Sequence, residues 1–226
     1  MIIISCEHGG NKIPAKYAAL FKNKSKVLKS HRGWDPGALL LAKKIAKDIN
    51  APLIYSETSR LLIDLNRSLH NPKLFSEYSN HCNKTTKQEL MNKFYFPYRS
   101  KIENKINNNY DKFPVIHFSI HSFTPVLNNI TRTADVGLLY DPARKAERDY
   151  CATLQKKLKE KFPDLTIRCN YPYKGNADGF TTHLRNQFSE KKYLGIEIEI
   201  NQKHILNNDN DWKKVKNELG RLLINI

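Results

Sequence analysis

The feature of this sequence that most constrains its fold is the alternation of short apolar, β-branched runs with segments of helical periodicity. The strand-like runs occupy residues 1–5, 52–56, 61–65, 115–123, 136–140, 165–169 and 193–200. Such runs separated by helices are typical of an α/β sheet covered by helices. No repeat or low-complexity linker divides the chain, so we predict one α/β domain over residues 1–226, built on a mixed sheet.

Helical patterns lie between these runs, and two of them open with the dipeptide Asp-Pro. An aspartate at the N-cap followed by proline in the first turn is a common start signal, so we predict helices over 35–49 and 141–161. A helix is also predicted over 84–108, with an interruption at Pro97. The periodicity at the end of the chain predicts a last helix over 212–223.

The chain carries a formal net charge of +16. Its lysines are spread along the sequence and interleaved with acidic residues, which is typical of solvated helix faces. The sequence has no zinc knuckle, arginine-glycine tract or aromatic–basic motif of an RNA-binding domain. Nucleic acid is therefore an unlikely main partner, and the positive field suits a small anionic substrate equally well.

Cysteine usage and hydropathy indicate the compartment. The four cysteines are scattered and form no Cys-x-x-Cys pair, which is typical of free thiols in a reducing compartment. No run approaches the roughly 20 apolar residues that a membrane-spanning helix needs, and the start of the chain lacks the basic segment of a signal peptide. We expect a cytoplasmic protein without a membrane partner; its oligomeric state stays open.

Two histidines stand at the ends of predicted strands, where open α/β sheets place their ligands. His8 follows the first strand and precedes two glycines, which allow a sharp turn that exposes the imidazole. Along 115–123, His117, Ser119 and His121 alternate and therefore share one face. Catalytic zinc binds neutral imidazole and keeps one position open for water. We predict a metal site at His8 and His121; the alternatives are a turn with an incidental histidine at His8 and a core histidine at His121.

The run that starts at Leu61 ends in polar residues that packing alone does not require. Asp64 and Asn66 would share one face of the run and Arg67 follows immediately, and the planar guanidinium of an arginine fits a carboxylate with two hydrogen bonds. We therefore predict a substrate-carboxylate site here. The alternative is a buried ion pair between Asp64 and Arg67, and Arg60 is compatible with either.

Two glutamates alternate with isoleucines near the end of the last predicted strand. Glu197 and Glu199 would point from the same face, and two crowded carboxylates raise the pKa of at least one of them. Such a carboxylate suits a general base that acts on water at a metal. The alternative is an edge strand with one solvent-exposed face.

Seven motifs in this order resemble the N-formylglutamate amidohydrolase family: CEHGGNKIP, HRGWDPGA, SRLLIDLNRS, HSFTP, RTADVGLLYDP, NYPYKGNADGFTTHLR and YLGIEIEINQ. The resemblance runs from residue 6 to about residue 202. The family is similar to zinc carboxypeptidases and aspartoacylases, which implies a mixed-sheet fold of the zinc-carboxypeptidase, phosphorylase/hydrolase-like kind.

The resemblance also implies roles for individual residues. His8 and His121 would bind Zn2+, and Asn66 with Arg67 would hold a substrate carboxylate with help from Arg60. Glu199 would be the base. It is preferred to Glu197 because the residues that follow it match the segment after the catalytic glutamate.

The third zinc ligand departs from the pattern of the related enzymes. Asn11 stands where their His-x-x-Glu motif has its glutamate, and a neutral amide is a poor zinc ligand. Asp35 is the preferred candidate, although helix capping competes for its side chain. Glu7 is a further candidate, but on a continuing strand it would point to the face opposite His8.

Two further residues are predicted near the substrate. His183 and Arg185 alternate on a segment predicted to be extended, from which they could reach the substrate or polarise a developing oxyanion. A surface hairpin that carries incidental polar residues is the alternative.

Together these patterns predict a zinc-dependent amidohydrolase that cleaves an N-acyl amino acid, with N-formyl included, or a similar carboxylate-bearing amide. One alternative is a metallopeptidase or deacylase that acts on a larger peptide. The other is a basic, non-catalytic binding protein that has retained the site.

Overall fold

The apolar runs assemble into one six-stranded sheet in the computed structural model, which describes residues 1–109 and 113–224. The strand order is β2-β1-β3-β8-β6-β7; neighbours up to β8 run parallel, while β6 is antiparallel to β8. This confirms the predicted mixed α/β sheet. A small hairpin, β4–β5, stands apart from it. The strands are β1 Ile2–Cys6, β2 Leu53–Tyr55, β3 Val115–Phe123, β4 Val126–Leu127, β5 Ile130–Thr131, β6 Val136–Leu139, β7 Ile167–Cys169 and β8 Tyr193–Asn201.

Helices connect the strands and cover both faces of the sheet. None of those in the described ranges is long and apolar enough to cross a membrane. The helices are α1 Ser25–Lys29, α2 Ala38–Asp48, α3 Lys84–Leu90, α4 Phe96–Asn107, α5 Lys145–Lys161, α6 Phe180–Gln187, α7 Gln202–Asn207 and α8 Asn210–Ile224, with a 3-10 helix at Ala15–Phe21 and a π-helical turn at Met91–Tyr95.

The two faces of the sheet bury different cores. Helices α2, α5 and α8 pack on one face, where Phe118 of β3 and Ile196 of β8 are fully buried. Helices α4 and α6 pack on the other face together with the apolar segment that begins at Leu61. Because side chains alternate along a strand, the odd-numbered residues of β3 and β8 face this second layer. The residues of the predicted site therefore lie between the sheet and the second layer.

The predicted strand over 61–65 is wrong. These residues are buried, but the chain turns: the Leu62 N–H donates to Ser59 O at 3.0 Å and the Asp64 N–H to Leu74 O at 2.9 Å. A short apolar run has the same composition in a buried strand and in a buried irregular segment. Here it packs on the second face of the sheet instead of joining an edge.

Both Asp-Pro dipeptides start their helices later than predicted. Gly37 has a φ of 78°, which interrupts the chain before α2 begins at Ala38. Asp35 therefore does not cap α2, and the capping alternative is wrong. Asp141 accepts the Ala143 N–H at 3.0 Å in a turn, and α5 begins only at Lys145, although it ends at Lys161 as predicted.

The long helix predicted over 84–108 is present, and its interruption takes a specific form. A π-helical turn, Met91–Tyr95, ends just before α4, whose second residue is Pro97. Proline has no N–H to donate, so a change of hydrogen-bond pattern beside it is expected. The last predicted helix is also present, as α8. In contrast, residues 180–187 form α6, so the extended segment predicted around His183 and Arg185 is wrong.

Candidate functional site

The site lies where β1, β3 and β8 end side by side. His121 pairs with Glu199 in the register of β3 and β8, and β1 leads directly into His8. The glycine after His8 is required by close packing, because a Cβ on Gly9 would lie 2.8 Å from the Ser56 carbonyl oxygen. The sharp exit predicted for the His-Gly-Gly segment is thus explained by a close approach of two backbone segments.

Three buried side chains meet at one point beside these strand ends. Nδ1 of His121 lies 2.9 Å from Oδ2 of Asp35, and Nδ1 of His8 lies 3.4 Å from the same oxygen. One candidate ligand atom from each residue lies within 4.8 Å of the others. His8 Nδ1 is buried without a hydrogen-bond partner among the described residues. The Asp35 N–H donates to His8 O at 2.9 Å, which fixes the loop that carries the carboxylate.

The Nε2 atoms of both imidazoles, which point away from Asp35, lie close to oxygen atoms of other side chains. His8 Nε2 lies 2.7 Å from Oδ1 of Asp64. His121 Nε2 lies 2.9 Å from Oγ of Ser119 and 3.3 Å from Oε2 of Glu7. Carboxylates that bind the outer nitrogen of a metal-ligating histidine fix its tautomer and orientation. Both rings therefore present Nδ1 to the point that they share with Asp35.

Glu7 and Asn11, the other ligand candidates, lie elsewhere. Because β1 ends at Cys6, Glu7 turns beneath β3 and accepts hydrogen bonds from Ser119 at 2.5 Å and Tyr98 at 2.9 Å. His121, together with His117 and Ser119, holds the pKa of the fully buried Glu7 carboxyl well below its usual range against the effect of burial. Asn11 does not line the adjoining cavity.

The site buries more acidic than basic groups. Burial alone would raise the pKa of Asp35, yet Arg60, His121 and His8 hold it well below its usual range. The pKa of Asp64 is likewise lowered to about 2, because His8 and Arg60 outweigh burial. With Glu7 and Glu199, four buried carboxyl groups lie near the partly exposed Arg60. Such an excess attracts a cation.

Glu199 differs from Glu197 in what its carboxyl group contacts. Burial raises the pKa of Glu199 to about 8, and its Oε2 is buried without a hydrogen-bond partner in the described part of the chain. Glu197 instead accepts a hydrogen bond from Thr181 Oγ1 at 2.5 Å. Both line the cavity, but within the described residues only the Glu199 carboxyl group has an oxygen that is buried without a hydrogen-bond partner. This contrast favours Glu199 as the group that exchanges protons.

A cavity of about 210 Å³ opens beside the three ligand candidates, and Asn66 and Arg67 line it. Oδ1 of Asn66 accepts the Phe180 N–H at 2.7 Å, so its amide N–H groups remain for a ligand. Arg67 is anchored at one edge, since Nη1 donates to Asp178 O at 3.1 Å. Arg60 also lines the cavity, but its Nη2 contacts Oδ1 of Asp35, which leaves Oδ2 towards the histidines.

His183 and Arg185 do not line the cavity. Arg185 is buried and its Nε lies 3.0 Å from both carboxyl oxygens of Glu147, an ion pair within the core. His183 lies 3.0 Å from Oε1 of Glu103 on α4. Their place on α6 directs them away from the site, which corrects the prediction that they contact the substrate.

Sequence reasoning missed the segment 170–179, which contributes Tyr173, Lys174, Ala177 and Asp178 to the cavity wall. It lies between β7 and α6, and its polar, aromatic and glycine-rich composition resembled an ordinary loop. The sequence likewise suggests only Arg67 as a partner for Asp64, whereas in the structure Oδ1 of Asp64 lies 2.7 Å from Nε2 of His8. Both segments lie within motifs that resemble the family, SRLLIDLNRS and NYPYKGNADGFTTHLR, and this resemblance was the one sequence feature that could have pointed to them.

Comparisons with known proteins agree with this architecture. The family model for N-formylglutamate amidohydrolase matches residues 1–206. The crystal structure of a gene product from Agrobacterium tumefaciens has a TM-score of 0.80 and 27% identity, covering 98% of this chain and 88% of that one. The crystal structure of N-formylglutamate amidohydrolase from Ralstonia eutropha has a TM-score of 0.72 and 17% identity, covering 99% and 91%. No curated protein matches the sequence.

Proposed function

The chain belongs to the N-formylglutamate amidohydrolase family, and from this we propose that it is a zinc-dependent hydrolase of a small N-acyl amino acid. The observation that carries the proposal is the convergence of His8, Asp35 and His121 on one point, with Glu199 beside it. An N-formyl group is the smallest acyl group that fits the proposal.

The residues at this point fit a catalytic zinc ion. Two imidazoles and one carboxylate form the donor set of many hydrolytic zinc sites, which leave a fourth position for water or substrate. The unpartnered Nδ1 of His8 points to a missing ligand, and the surplus of buried carboxylates supplies the compensating charge. Asp35 is the third ligand in this proposal.

Zinc bound there would polarise the acyl oxygen and make water more acidic. Glu199 takes a proton from the attacking water as that water adds to the acyl carbon. As the C–N bond breaks, the same carboxyl group delivers the proton to the leaving nitrogen. Burial raises the pKa of the Glu199 carboxyl above its usual range, which makes its carboxylate a stronger base for this proton transfer. Arg67 and Asn66 hold the carboxylate of the amino acid and so orient the amide.

The size of the cavity favours a small substrate. A volume of about 210 Å³ corresponds to roughly seven water molecules at about 30 Å³ each. That space suits the acyl group and side chain of one acylated amino acid. A peptidase or deacylase acting on a larger substrate is therefore the less favoured alternative.

The test is hydrolysis of N-formyl-L-glutamate, N-acetyl-L-glutamate and a short peptide by the purified protein, before and after removal of metal with a chelator. We expect turnover of a small amide, its loss with the chelator and its return with zinc. Glu199→Gln should retain zinc but lose turnover, whereas His121→Ala should lose both. Arg67→Ala should raise KM by about 10–100-fold, the loss expected for a charge-assisted hydrogen bond.

Two results would contradict the proposal. Full turnover by metal-free His121→Ala protein would exclude zinc chemistry at this point. One equivalent of bound zinc without turnover of any amide would instead support the non-catalytic alternative.

A further inference from the structure

Tyr173 is a polar group in the cavity that the proposed reaction does not yet use. It lies in the segment 170–179, and its side chain lines the cavity and is 44% exposed. This segment is seated at its start on the sheet, where a Cβ on Gly137 would lie 2.1 Å from Tyr171 O. Gly137 pairs with Glu199 across β6 and β8. Tyr173 therefore enters the cavity from the side of Glu199.

The hydroxyl of Tyr173 has a defined hydrogen-bond role. Nη1 of Arg132 lies 3.0 Å from it, and a guanidinium can only donate hydrogen bonds. The phenol oxygen must therefore accept this bond, and its own proton is directed elsewhere. Within residues 1–109 and 113–224 the Tyr173 hydroxyl donates to no protein acceptor. An acceptor supplied by a ligand in the cavity would complete its hydrogen bonds.

Arg132 is held firmly enough to fix the phenol. Its side chain is buried, and its guanidinium carbon lies 4.8 Å from the centre of the Tyr173 ring and 5.7 Å from that of Phe123. Asn201 donates to its backbone oxygen at 3.3 Å. A cation that donates to the phenol oxygen also strengthens the phenol as a donor, because hydrogen bonds in a chain polarise one another.

We propose that Tyr173 donates a hydrogen bond to the acyl oxygen of the substrate and to the negative charge that develops there, with Arg132 as the residue that positions the phenol. This inference rests on the proposed amide hydrolysis. The amino-acid carboxylate is held at Arg67, near Asp178 at the other end of the segment. The acyl end of a small amide held there extends to the side of Glu199 and Tyr173. Burial and Glu199 raise the pKa of Tyr173, so the phenol keeps its proton.

The test compares Tyr173→Phe with Tyr171→Phe. Tyr171 is in the same segment but does not line the cavity, and its hydroxyl accepts the Thr133 N–H at 3.1 Å. With N-formyl-L-glutamate, Tyr173→Phe should lower kcat by roughly 100-fold with little change in KM, as loss of one oxyanion donor does. Tyr171→Phe should lower the melting temperature and leave kcat unchanged. Equal losses of kcat in the two variants would overturn the assignment, because they would indicate only a displaced segment.

Binding provides a readout that is independent of turnover. The probe is a phosphonamidate analogue of N-formyl-L-glutamate, in which tetrahedral phosphorus replaces the acyl carbon; calorimetry gives its Kd, and that of the product L-glutamate. Tyr173→Phe should lower the affinity for the analogue by about the same factor as it lowers kcat/KM. The affinity for L-glutamate should stay unchanged, because a contact made in the transition state is absent from the product. Unchanged affinity for the analogue would overturn the assignment.

The contribution of Arg132 is tested by a double-mutant cycle. Arg132→Met should lower kcat less than Tyr173→Phe, and the double variant should be no slower than Tyr173→Phe alone. Fully additive losses would exclude the positioning role. Wild-type turnover and zinc content are measured beside every variant. No amide turnover by the wild type would overturn the proposed function together with this inference, whereas unchanged kcat in Tyr173→Phe beside an active wild type overturns this inference alone.

Discussion

His8 and His121 are oriented by two different carboxylates, and this is the residue-scale feature on which the proposed zinc site depends most. Asp64 binds Nε2 of His8, and Glu7 lies beside Nε2 of His121. Each carboxylate comes from a segment distinct from that of the ring it holds. The Nε2 atom of each proposed ligand is therefore held by a carboxylate of its own.

Asp64→Asn tests this arrangement. Asparagine keeps the shape of the side chain but loses the charge that orients His8, so we expect zinc affinity to fall by about 10–100-fold. Competition with a chromophoric chelator measures the change. Asp48→Asn is the matched control, because Asp48 pairs with Lys44 on the far side of α2. Equal zinc affinity in both variants would contradict the role given to Asp64.

Arg185 is a residue whose predicted role the structure changes. Arg185→Met should leave the buried carboxylate of Glu147 without this ion-pair partner. We expect the free energy of unfolding to fall by about 3–5 kcal/mol. Urea denaturation measures this, and Arg148→Met, a change at an exposed arginine on the same helix as Glu147, should have little effect. If Arg185→Met kept its stability but had a raised KM, the result would instead support a role for Arg185 in substrate binding.

At the scale of elements, the central strands were predictable and their connections were less so. The run 115–123 was predicted with its observed bounds, because alternating side chains on a buried strand leave a clear pattern. The run 61–65 was misassigned because its hydrogen-bond partners, such as Leu74, are fixed by tertiary packing. Asp35 misled the prediction of α2 for a similar reason: Arg60 and His121 use the carboxylate that a helix cap would need.

The same division holds for the candidate site. Residues at strand ends could be singled out because topology brings strand ends together, and the structure places His8, His121 and Glu199 side by side. The contacts of Tyr173 and Asp64 could not be predicted, because they depend on how irregular segments fold over the sheet. The spacing of residues along the sequence does not predict that packing.

Asp135 connects three elements, and its ionisation should be visible in the pH dependence of stability. At the start of β6 it accepts the Thr166 N–H at 2.7 Å and lies 2.7 Å from Nε2 of His204 and 2.6 Å from Nζ of Lys203 on α7. Burial alone would raise its pKa, but Lys203, Thr166 and His204 together lower it. The stabilisation is therefore present above the unfolded value of 3.8 and is lost as the pH falls below it.

Asp135→Asn should lower the free energy of unfolding by about 1–3 kcal/mol at pH 7, the range for hydrogen bonds to a charged group. The difference from the wild type should shrink as the pH is lowered through 3.8. Urea denaturation between pH 7 and pH 3 measures it, with the exposed Asp164→Asn as control. A difference that stays constant across this range would show that the charge of Asp135 is not what stabilises the junction.

At the scale of the whole molecule, the net charge of +16 surrounds a cavity lined by Arg67 and Lys174. This field should attract an anionic substrate, and salt should screen it. We expect kcat/KM for N-formyl-L-glutamate to fall as sodium chloride is raised from 10 to about 300 mM, mainly through association. The diamide of the same compound is the control, and its kcat/KM should stay constant. An equal response of both compounds would indicate a general effect of salt on the enzyme.

The pairing of β3 with β8 has a consequence for how this chain can change length. His121 faces Glu199, while Phe118 and Ile196 face the opposite core. Inserting one residue in either strand would turn every following side chain of that strand to the opposite face of the sheet. Isoleucines would then face the candidate site, and carboxylates would be buried in the apolar core. Two inserted residues would restore the parity. Changes of length inside these two strands therefore keep the site intact only when they occur in even steps.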